Sequence, residues 1–173
     1  MSVVQELSID LPDAEATRAL GRELARVLRA GDLVVLTGDL GAGKTTLTQG
    51  IGAGLGVRGQ VASPTFIIAR VHPPLAAVDG ARGPALVHVD AYRLGSLEEV
   101  DALDLDASLE ESVTVVEWGE GLVEGLAEDR LEIALRRPRG GTLPADLEDA
   151  AGGARVATLT AVGRRWVGVD LPA

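Results

Sequence analysis

Residues 38–45 read GDLGAGKT, which fits the pattern G-x-x-x-x-G-K-[ST] at every fixed position. In this pattern the glycines let successive backbone N–H groups point at phosphate oxygens, and the helix that follows directs its positive end toward them. Lys44 would neutralise the β and γ oxygens, and the Thr45 hydroxyl would coordinate Mg²⁺. The residues predicted to bind the nucleotide here are Gly38, Asp39, Leu40, Gly41, Ala42, Gly43, Lys44, Thr45 and Thr46.

Lys44 is the only lysine among the sixteen lysines and arginines of the chain. A GC-rich coding bias explains the arginines, but it does not explain why one lysine is kept at this position. A compact ammonium on a flexible stem suits phosphate oxygens, whereas the planar guanidinium of arginine would not fit them in the same way. The composition therefore favours a phosphate site over an incidental glycine-rich turn.

Acidic residues end two apolar segments that follow this pattern, LVHVD at Asp90 and TVVE at Glu117. Each alone could be the first residue of a loop. Parallel strands, however, bring their carboxyl ends to one edge of a sheet, the edge that also carries a phosphate loop. A carboxylate there can hold the metal or orient the attacking group. Asp90 and Glu117 are therefore candidate catalytic residues with Lys44, and which of the two positions the attacking water stays open.

The segment SPTF offers the hydroxyls of Ser63 and Thr65 between the phosphate pattern and the strand that ends at Asp90. The proline favours an extended backbone at the residue before it. A mobile loop at this place could sense the γ-phosphate. An ordinary turn containing a proline is the alternative.

The identity of the nucleotide base is indicated by a sequence element that the chain lacks. Guanine-specific GTPases read the base through an N/T-K-x-D element. This chain has no asparagine, and its only lysine lies in the phosphate pattern. We therefore expect ATP, with Mg²⁺, as the ligand.

A sheet is needed to position these residues, and the hydrophobic pattern predicts one. Weak alternation predicts an edge strand at 3–10, and a helical stripe opens near Pro12 and Asp13 and closes at Gly31. Further helices are predicted at 44–56 and 95–105, and strands at 32–38, 85–90, 113–118, 131–137 and within 154–171, where the last two strands pair through Gly163. The pattern predicts one α/β domain over residues 1–173, with a P-loop NTPase-like, mostly parallel central sheet flanked by helices and C-terminal antiparallel strands.

Composition limits the partners. The formal charge of −10 argues against unaided binding to nucleic acid or to an anionic membrane. The chain has no cysteine and no apolar run of membrane-spanning length, and His72 and His88 are spaced unlike metal ligands. We therefore expect a cytoplasmic protein. Residues 94–129 hold twelve acidic and no basic residues, which indicates either a solvated acidic surface or a partner surface.

Four segments, GDLGAGKTTLTQGIGAGLG, VASPTF, VHVDAYRL and VVEWGE, resemble in order and spacing the TsaE (YjeE) family of bacterial P-loop ATPases. The resemblance covers most of the chain. It implies a role in forming threonylcarbamoyladenosine in tRNA, together with TsaB-like and TsaD-like subunits. In that family TsaD performs the transfer, so tRNA is met only through the complex. ATP hydrolysis, weak in the ATPase alone, is implied to reset the complex between turnovers.

The resemblance also assigns residues. Thr45 and Glu117 match the Mg²⁺ ligands of the family, Asp90 matches the acidic residue implicated in hydrolysis, and Thr65 matches the phosphate sensor of a switch-like loop. Two positions in less distinctive surroundings match nucleotide contacts, namely Ala14 and Arg155. The chain departs from the family in EWGE, where many members have a proline after the tryptophan, and in the insertion PPLAAVDGARGP.

Two other functions stay open from the residues. A small-molecule kinase would use Asp90 as a base and Arg136, Arg137 and Arg139 as part of a lid. A nucleotide-gated binding module would use ATP only to order the SPTF loop for a partner.

Overall fold

The computed structural model describes residues 3–38, 43–57, 69–74, 84–90, 111–117, 129–136 and 154–172. Its elements are, in chain order, β1 (Val3–Leu11), α1 (Ala14–Ala25), β2 (Leu33–Gly38), α2 (Lys44–Leu55), β3 (Ala69–His72), β4 (Ala85–Asp90), β5 (Ser112–Glu117), β6 (Arg130–Arg136), β7 (Arg155–Val162) and a 3-10 helix (Arg164–Trp166). Neither α-helix of these ranges has the length and apolar character needed to cross a membrane.

The strands of the described ranges form one sheet in the order β1-β7-β6-β2-β5-β4-β3. The four central strands, from β6 to β4, pair in parallel. β7 is antiparallel to β6 and β1, and β3 is antiparallel to β4. Five strands therefore run in one direction, and their carboxyl ends meet at one side of the sheet, which we call the carboxyl edge. The predicted fold class is confirmed.

The central strands are buried on both faces, as their continuous apolar runs predicted. Every residue of β5 is buried, and so are the first four of β2. β6 and β7 instead alternate buried and half-buried residues, so only one of their faces packs into the core. Leucines and isoleucine of α1 and α2 pack on that face, namely Leu20, Leu24, Leu47 and Ile51. We call it the helix face.

α1 and α2 lie side by side as parallel helices, and glycines allow their backbones to touch. A Cβ built on Gly21 of α1 would lie 2.5 Å from the carbonyl oxygen of Leu47. A Cβ built on Gly54 of α2 would lie 2.5 Å from the Cβ of Ala25. Glycines weaken an isolated helix, so Gly50 and Gly54 of α2 are explained by this close approach to α1.

The first helix begins as predicted but ends earlier. Asp13 is its N-cap, and its carboxylate accepts a hydrogen bond of 2.8 Å from the backbone N–H of Ala16. The helix ends at Ala25 rather than at Gly31. Beyond it the chain forms tighter turns, and the carboxylate of Asp32 accepts the N–H of Arg29 at 2.8 Å. The side chain of Asp32, which lies beyond the helical stripe, therefore ends the helix by bonding the backbone of Arg29.

The prediction of a final strand paired through Gly163 is wrong, because residues 164–166 form a 3-10 helix. Both edges of β7 are already paired, with β1 on one side and β6 on the other, so no edge remains for a returning strand. Gly163 has a φ of 101°, which turns the chain away from the sheet. Trp166 then enters the core and retains only 2% of its exposure.

A largely buried ion pair, in which the side chains of Arg165 and Asp32 are 12% and 5% exposed, attaches this C-terminal segment to the start of β2. Nε and Nη2 of Arg165 each lie 2.9 Å from a carboxylate oxygen of Asp32, and Nη2 also donates to the carbonyl oxygen of Val27 at 2.6 Å. The guanidinium carbon lies 4.5 Å from the centre of the Trp166 ring. These contacts lie at the amino ends of the parallel strands, opposite the carboxyl edge.

We expect Asp32→Ala to lower the free energy of unfolding by about 3 kcal/mol, because removing one partner of a buried ion pair leaves the other charge uncompensated. Urea unfolding of the complete chain measures this loss. The control is Glu15→Ala, which breaks an exposed ion pair with Arg22 and should cost less than about 1 kcal/mol. Equal losses in the two variants would contradict the role given to the Asp32 pair.

Candidate nucleotide site

The carboxyl edge gathers the ends of the strands on which the predicted site residues lie. Gly38 ends β2, and Asp90 and Glu117, which end β4 and β5, are paired in register. Arg155 begins β7 at the same edge, because it pairs with Leu11 at the end of β1. The topology therefore brings positions far apart in sequence to one side of the sheet.

Gly43 is the N-cap of α2 and has a φ of 101°, a left-handed conformation that favours glycine. It offers no side chain to cap the helix, and the first turn of α2 holds no acidic residue. Unlike Asp13 in α1, Gly43 therefore supplies no capping carboxylate to the first N–H groups of α2. A helix N-terminus of this kind is suited to a phosphate group.

Lys44 lies at the start of α2 and is 6% exposed. Its ammonium Nζ donates a hydrogen bond of 2.8 Å to the carbonyl oxygen of Gly38, at the end of β2. The charge is thus held beside the beginning of the segment 39–42. An ammonium held there would meet phosphate oxygens without a large rearrangement.

Glu117 is 3% exposed. It lies on the helix face, because every second residue of a strand points to the same side, and Val113 and Val115 of β5 belong to the core on that side. Its Oε1 accepts a hydrogen bond of 3.4 Å from the hydroxyl of Thr45. The same oxygen lies 3.2 Å from Nε2 of His88. The structure thus brings the two predicted metal ligands together.

These oxygens fit a magnesium ion. Mg²⁺ prefers oxygen ligands, and in phosphate sites it is held by one or two protein oxygens while phosphates and waters complete its octahedron. The hydroxyl of Thr45 and the carboxylate of Glu117 supply two such oxygens at the N-terminus of α2. They are the residues that would hold the ion.

The start of α1 lies beside the start of α2. The methyl group of Thr17 lies 3.8 Å from a Cβ built on Gly43, and α1 runs parallel to α2 from that point. Ala14, the first residue of α1, is therefore at the same end of the molecule as the phosphate pattern. This geometry is compatible with the predicted nucleotide contact at Ala14.

Arg155 is 4% exposed, and its Nη1 donates to the carbonyl oxygen of Ala154 at 2.9 Å. It lies on the helix face, because Ala157 and Leu159, at every second position after it on β7, belong to the core on that face. Arg136, in contrast, follows the buried Leu135 and is exposed on the other face. The two arginines thus lie on opposite faces of the sheet.

Several predicted site residues lie outside the described ranges. They are Asp39, Leu40, Gly41, Ala42 and Thr65. The described part of Asp90 is its backbone, which pairs with Glu117. The helix at 95–105 also lies outside these ranges, and so does the insertion 73–84 except for its positions 73, 74 and 84.

His88 is the residue that sequence reasoning undervalued. The spacing of His72 and His88 argued against a role as metal ligands, and His88 is fully buried, but it contacts the candidate metal ligand Glu117. Its signal was available in the strand pattern, because His88 lies two residues before Asp90 on a strand predicted to lie near that of Glu117. The register of β4 and β5 was needed to join them.

Comparisons with known proteins show which family the chain belongs to. The family model described as Threonylcarbamoyl adenosine biosynthesis protein TsaE matches residues 11–142. A relative from Streptomyces coelicolor, a tRNA threonylcarbamoyladenosine biosynthesis protein TsaE, is 59% identical over 155 residues, which are 89% of this chain and 96% of the relative. The protein of that name from Bacillus subtilis is 37% identical over 153 residues, 88% of this chain and 84% of the relative.

The fold has a counterpart among solved structures. The crystal structure of YdiB from Bacillus subtilis matches with a TM-score of 0.66 and 31% sequence identity, over 96% of this chain and 93% of that one. The match extends beyond the phosphate pattern to the sheet and its flanking elements. The chain belongs to the TsaE family.

Proposed function

We propose that the chain is a cytoplasmic, single-domain, Mg²⁺-dependent ATPase that acts with TsaB-like and TsaD-like subunits in tRNA threonylcarbamoyladenosine biosynthesis. Family membership supports the pathway, since the relatives carry that role in their names. Hydrolysis would be weak in the chain alone and would reset the complex between turnovers. The tRNA would be met only through the partner subunits.

One observation carries the proposal of ATP chemistry. Lys44, Thr45 and Glu117 meet at the carboxyl edge, where Glu117 Oε1 lies 3.4 Å from the hydroxyl of Thr45. An ammonium, a hydroxyl and a carboxylate beside a helix N-terminus whose N-cap, Gly43, has no side chain are the groups that phosphoryl transfer to water requires from the protein. Catalysis of this kind depends mainly on positioning and on charge stabilisation.

Each residue then has a stated task. Lys44 binds the β and γ oxygens, and the N–H groups of Lys44, Thr45 and Thr46 donate to the phosphates at the start of α2. Mg²⁺ bound by Thr45 and Glu117 would act as a Lewis acid and neutralise negative charge on the phosphates. Asp90, whose backbone is paired with Glu117, is proposed as the group that orients the attacking water. Ala14 and Arg155 are proposed to contact the nucleotide beyond its phosphates.

The charge of the chain is consistent with a partner-dependent role. A net charge of −10 disfavours tRNA binding by this chain, because tRNA is a polyanion. Partner subunits would therefore supply the tRNA contacts. Glu117 belongs to the nucleotide site, and the other acidic residues of 94–129, most of which lie outside the described ranges, are the proposed docking surface for one of them.

Turnover measurements test this proposal. Phosphate release from Mg²⁺·ATP should rise when TsaB-like and TsaD-like subunits are added. Glu117→Gln should lower this turnover by about 100-fold or more, because a bound metal contributes several kcal/mol of charge stabilisation. Glu6→Gln is the control, since Glu6 is exposed on β1 and lies outside both the site and residues 94–129. Turnover that does not change when the partners are added, and that is the same in Glu117→Gln as in the unchanged chain, would contradict the proposal.

Measurements of acceptor phosphorylation, partner binding and cellular function separate the two alternatives. A small-molecule kinase would transfer phosphate to an acceptor in place of releasing it, and its rate would depend on the acceptor. A nucleotide-gated binding module would keep partner binding and cellular function in the Glu117→Gln variant despite its lost hydrolysis. Arg136 lies on the face opposite to Lys44, which gives the kinase lid no added support.

A further inference from the structure

His88 lies on β4 and is fully buried. Its Nε2 is 3.2 Å from Oε1 of Glu117, while its Nδ1 is also buried and has no hydrogen-bond partner within the described ranges. The contact joins positions 29 residues apart through the parallel pairing of β4 and β5. Neither the phosphate pattern nor a task in the proposed chemistry accounts for an imidazole at this place.

The donor in this contact follows from its chemistry. An ionised carboxylate can only accept hydrogen bonds, so the proton must reside on Nε2 of His88. Nδ1, which has no donor facing it in the described ranges, is then the acceptor nitrogen of a neutral ring. With this assignment, the only N–H group of the His88 ring has an acceptor.

A buried carboxylate needs such donors. Glu117 is 3% exposed, and taking a carboxylate out of water is costly unless hydrogen bonds compensate. The hydroxyl of Thr45 supplies one bond, at 3.4 Å, and His88 supplies the shorter one. Both donors meet Oε1, so these two bonds leave Oε2 to a further ligand.

We propose that His88 is a positioning residue, which orients the Glu117 carboxylate toward Thr45 so that a divalent cation meets a prearranged site. Hydrogen-bond partners of metal ligands act in this way, and their loss costs about 10- to 100-fold in metal affinity or activity. The inference rests on the proposed function, since it assumes that Glu117 binds the metal of the nucleotide site.

The first test measures Mn²⁺ binding to the complete, ADP-loaded chain by electron paramagnetic resonance. His88→Leu, which has similar volume but no donor, should weaken Mn²⁺ affinity about 10-fold or more. His88→Gln, whose amide N–H reaches about as far as Nε2, should stay within about 3-fold of the unchanged chain. ADP affinity measured in EDTA should stay the same in both variants, whereas general damage to the site would lower it.

A double variant tests whether His88 acts through Glu117. In a Glu117→Ala background, His88→Leu should cause no further loss of Mn²⁺ affinity. If His88→Leu does not fold, His88→Asn replaces it. The amide of asparagine is too short to reach Oε1 of Glu117, so this variant should show the same loss of Mn²⁺ affinity. Equal affinities in the Leu (or Asn) and Gln variants, tighter binding in either, or additive losses in the double variant would overturn the proposal.

A second readout needs no metal. The chain has two histidines, so ¹⁵N spectra of the imidazoles can be assigned by comparison with the His88→Gln variant. The metal-free chain should show the His88 proton on Nε2, protected from exchange, and Glu117→Ala should remove that protection. A ring protonated only on Nδ1 would overturn the proposal. If Glu117→Ala leaves Mn²⁺ affinity unchanged, the proposed metal site fails instead, which distinguishes the two failures.

Discussion

Lys44→Met is expected to weaken ATP affinity by about 10- to 100-fold, because one hydrogen bond to a charged group contributes about 1.5–3 kcal/mol. Methionine keeps the length and apolar stem of lysine but removes the ammonium, which in the structure lies 2.8 Å from the carbonyl oxygen of Gly38. Calorimetric titration with Mg²⁺·ATP measures the loss. The fold should remain, since the core contacts of α2 are made by Leu47 and Ile51.

Two further variants sharpen this test. Lys44→Arg keeps the charge, yet we expect it to recover little affinity, because a planar guanidinium does not occupy the space of an ammonium. Arg26→Met removes one positive charge from the exposed surface beyond α1 and should leave ATP affinity unchanged. ATP binding at the unchanged affinity in Lys44→Met would remove the assignment of the site.

The second large effect concerns stability. Gly50→Ala should lower the free energy of unfolding by about 3 kcal/mol, the upper part of the usual range for an overpacked core. A Cβ at this position would overlap the carbonyl oxygen of Arg18, and it would lie 3.0 Å from the Cα of the same residue. The obstacle is backbone, which cannot rotate away as a side chain can. The loss should appear even though alanine favours a helix over glycine by about 1 kcal/mol.

Thermal unfolding checks this expectation. For a chain of this length, about 3 kcal/mol corresponds to a fall in Tm of roughly 6–12 °C. Ala53→Leu is the control, because Ala53 is exposed on the same helix and the added volume meets solvent. The affinity for Mg²⁺·ATP should also fall in Gly50→Ala, since a displaced α2 carries Lys44 and Thr45 with it. A Tm equal to that of the Ala53→Leu control would show that the two helices do not touch at Gly50.

The phosphate pattern could be predicted because its chemistry is made by neighbouring residues. The turn at Gly43, the start of α2 at Lys44 and the hydroxyl of Thr45 follow from eight consecutive positions. The carboxylate of Glu117 could also be predicted, since a continuous apolar run indicates a buried parallel strand and the ends of such strands share an edge. In both cases a local pattern carries the information.

Other features depended on contacts between distant residues. Gly50 and Gly54 of α2 are unfavourable for an isolated helix, and the close approach of α1 explains them. The expected strand after Gly163 was wrong, since β1 and β6 had already taken both edges of β7. Likewise, α1 ends early because Asp32, which is itself paired with Arg165, accepts a hydrogen bond from the backbone N–H of Arg29 just after the helix.

By itself, then, the sequence determined the element types of the central sheet, the phosphate pattern and the candidate carboxylates, because each depends on neighbouring residues or on hydrophobic periodicity. Only the tertiary structure decided which strands lie together, how closely α1 and α2 pack, and that His88 contacts Glu117. The reason is physical: strand register and helix separation are set by the packing of the whole core, and a shift of one residue along β4 would turn His88 to the other face.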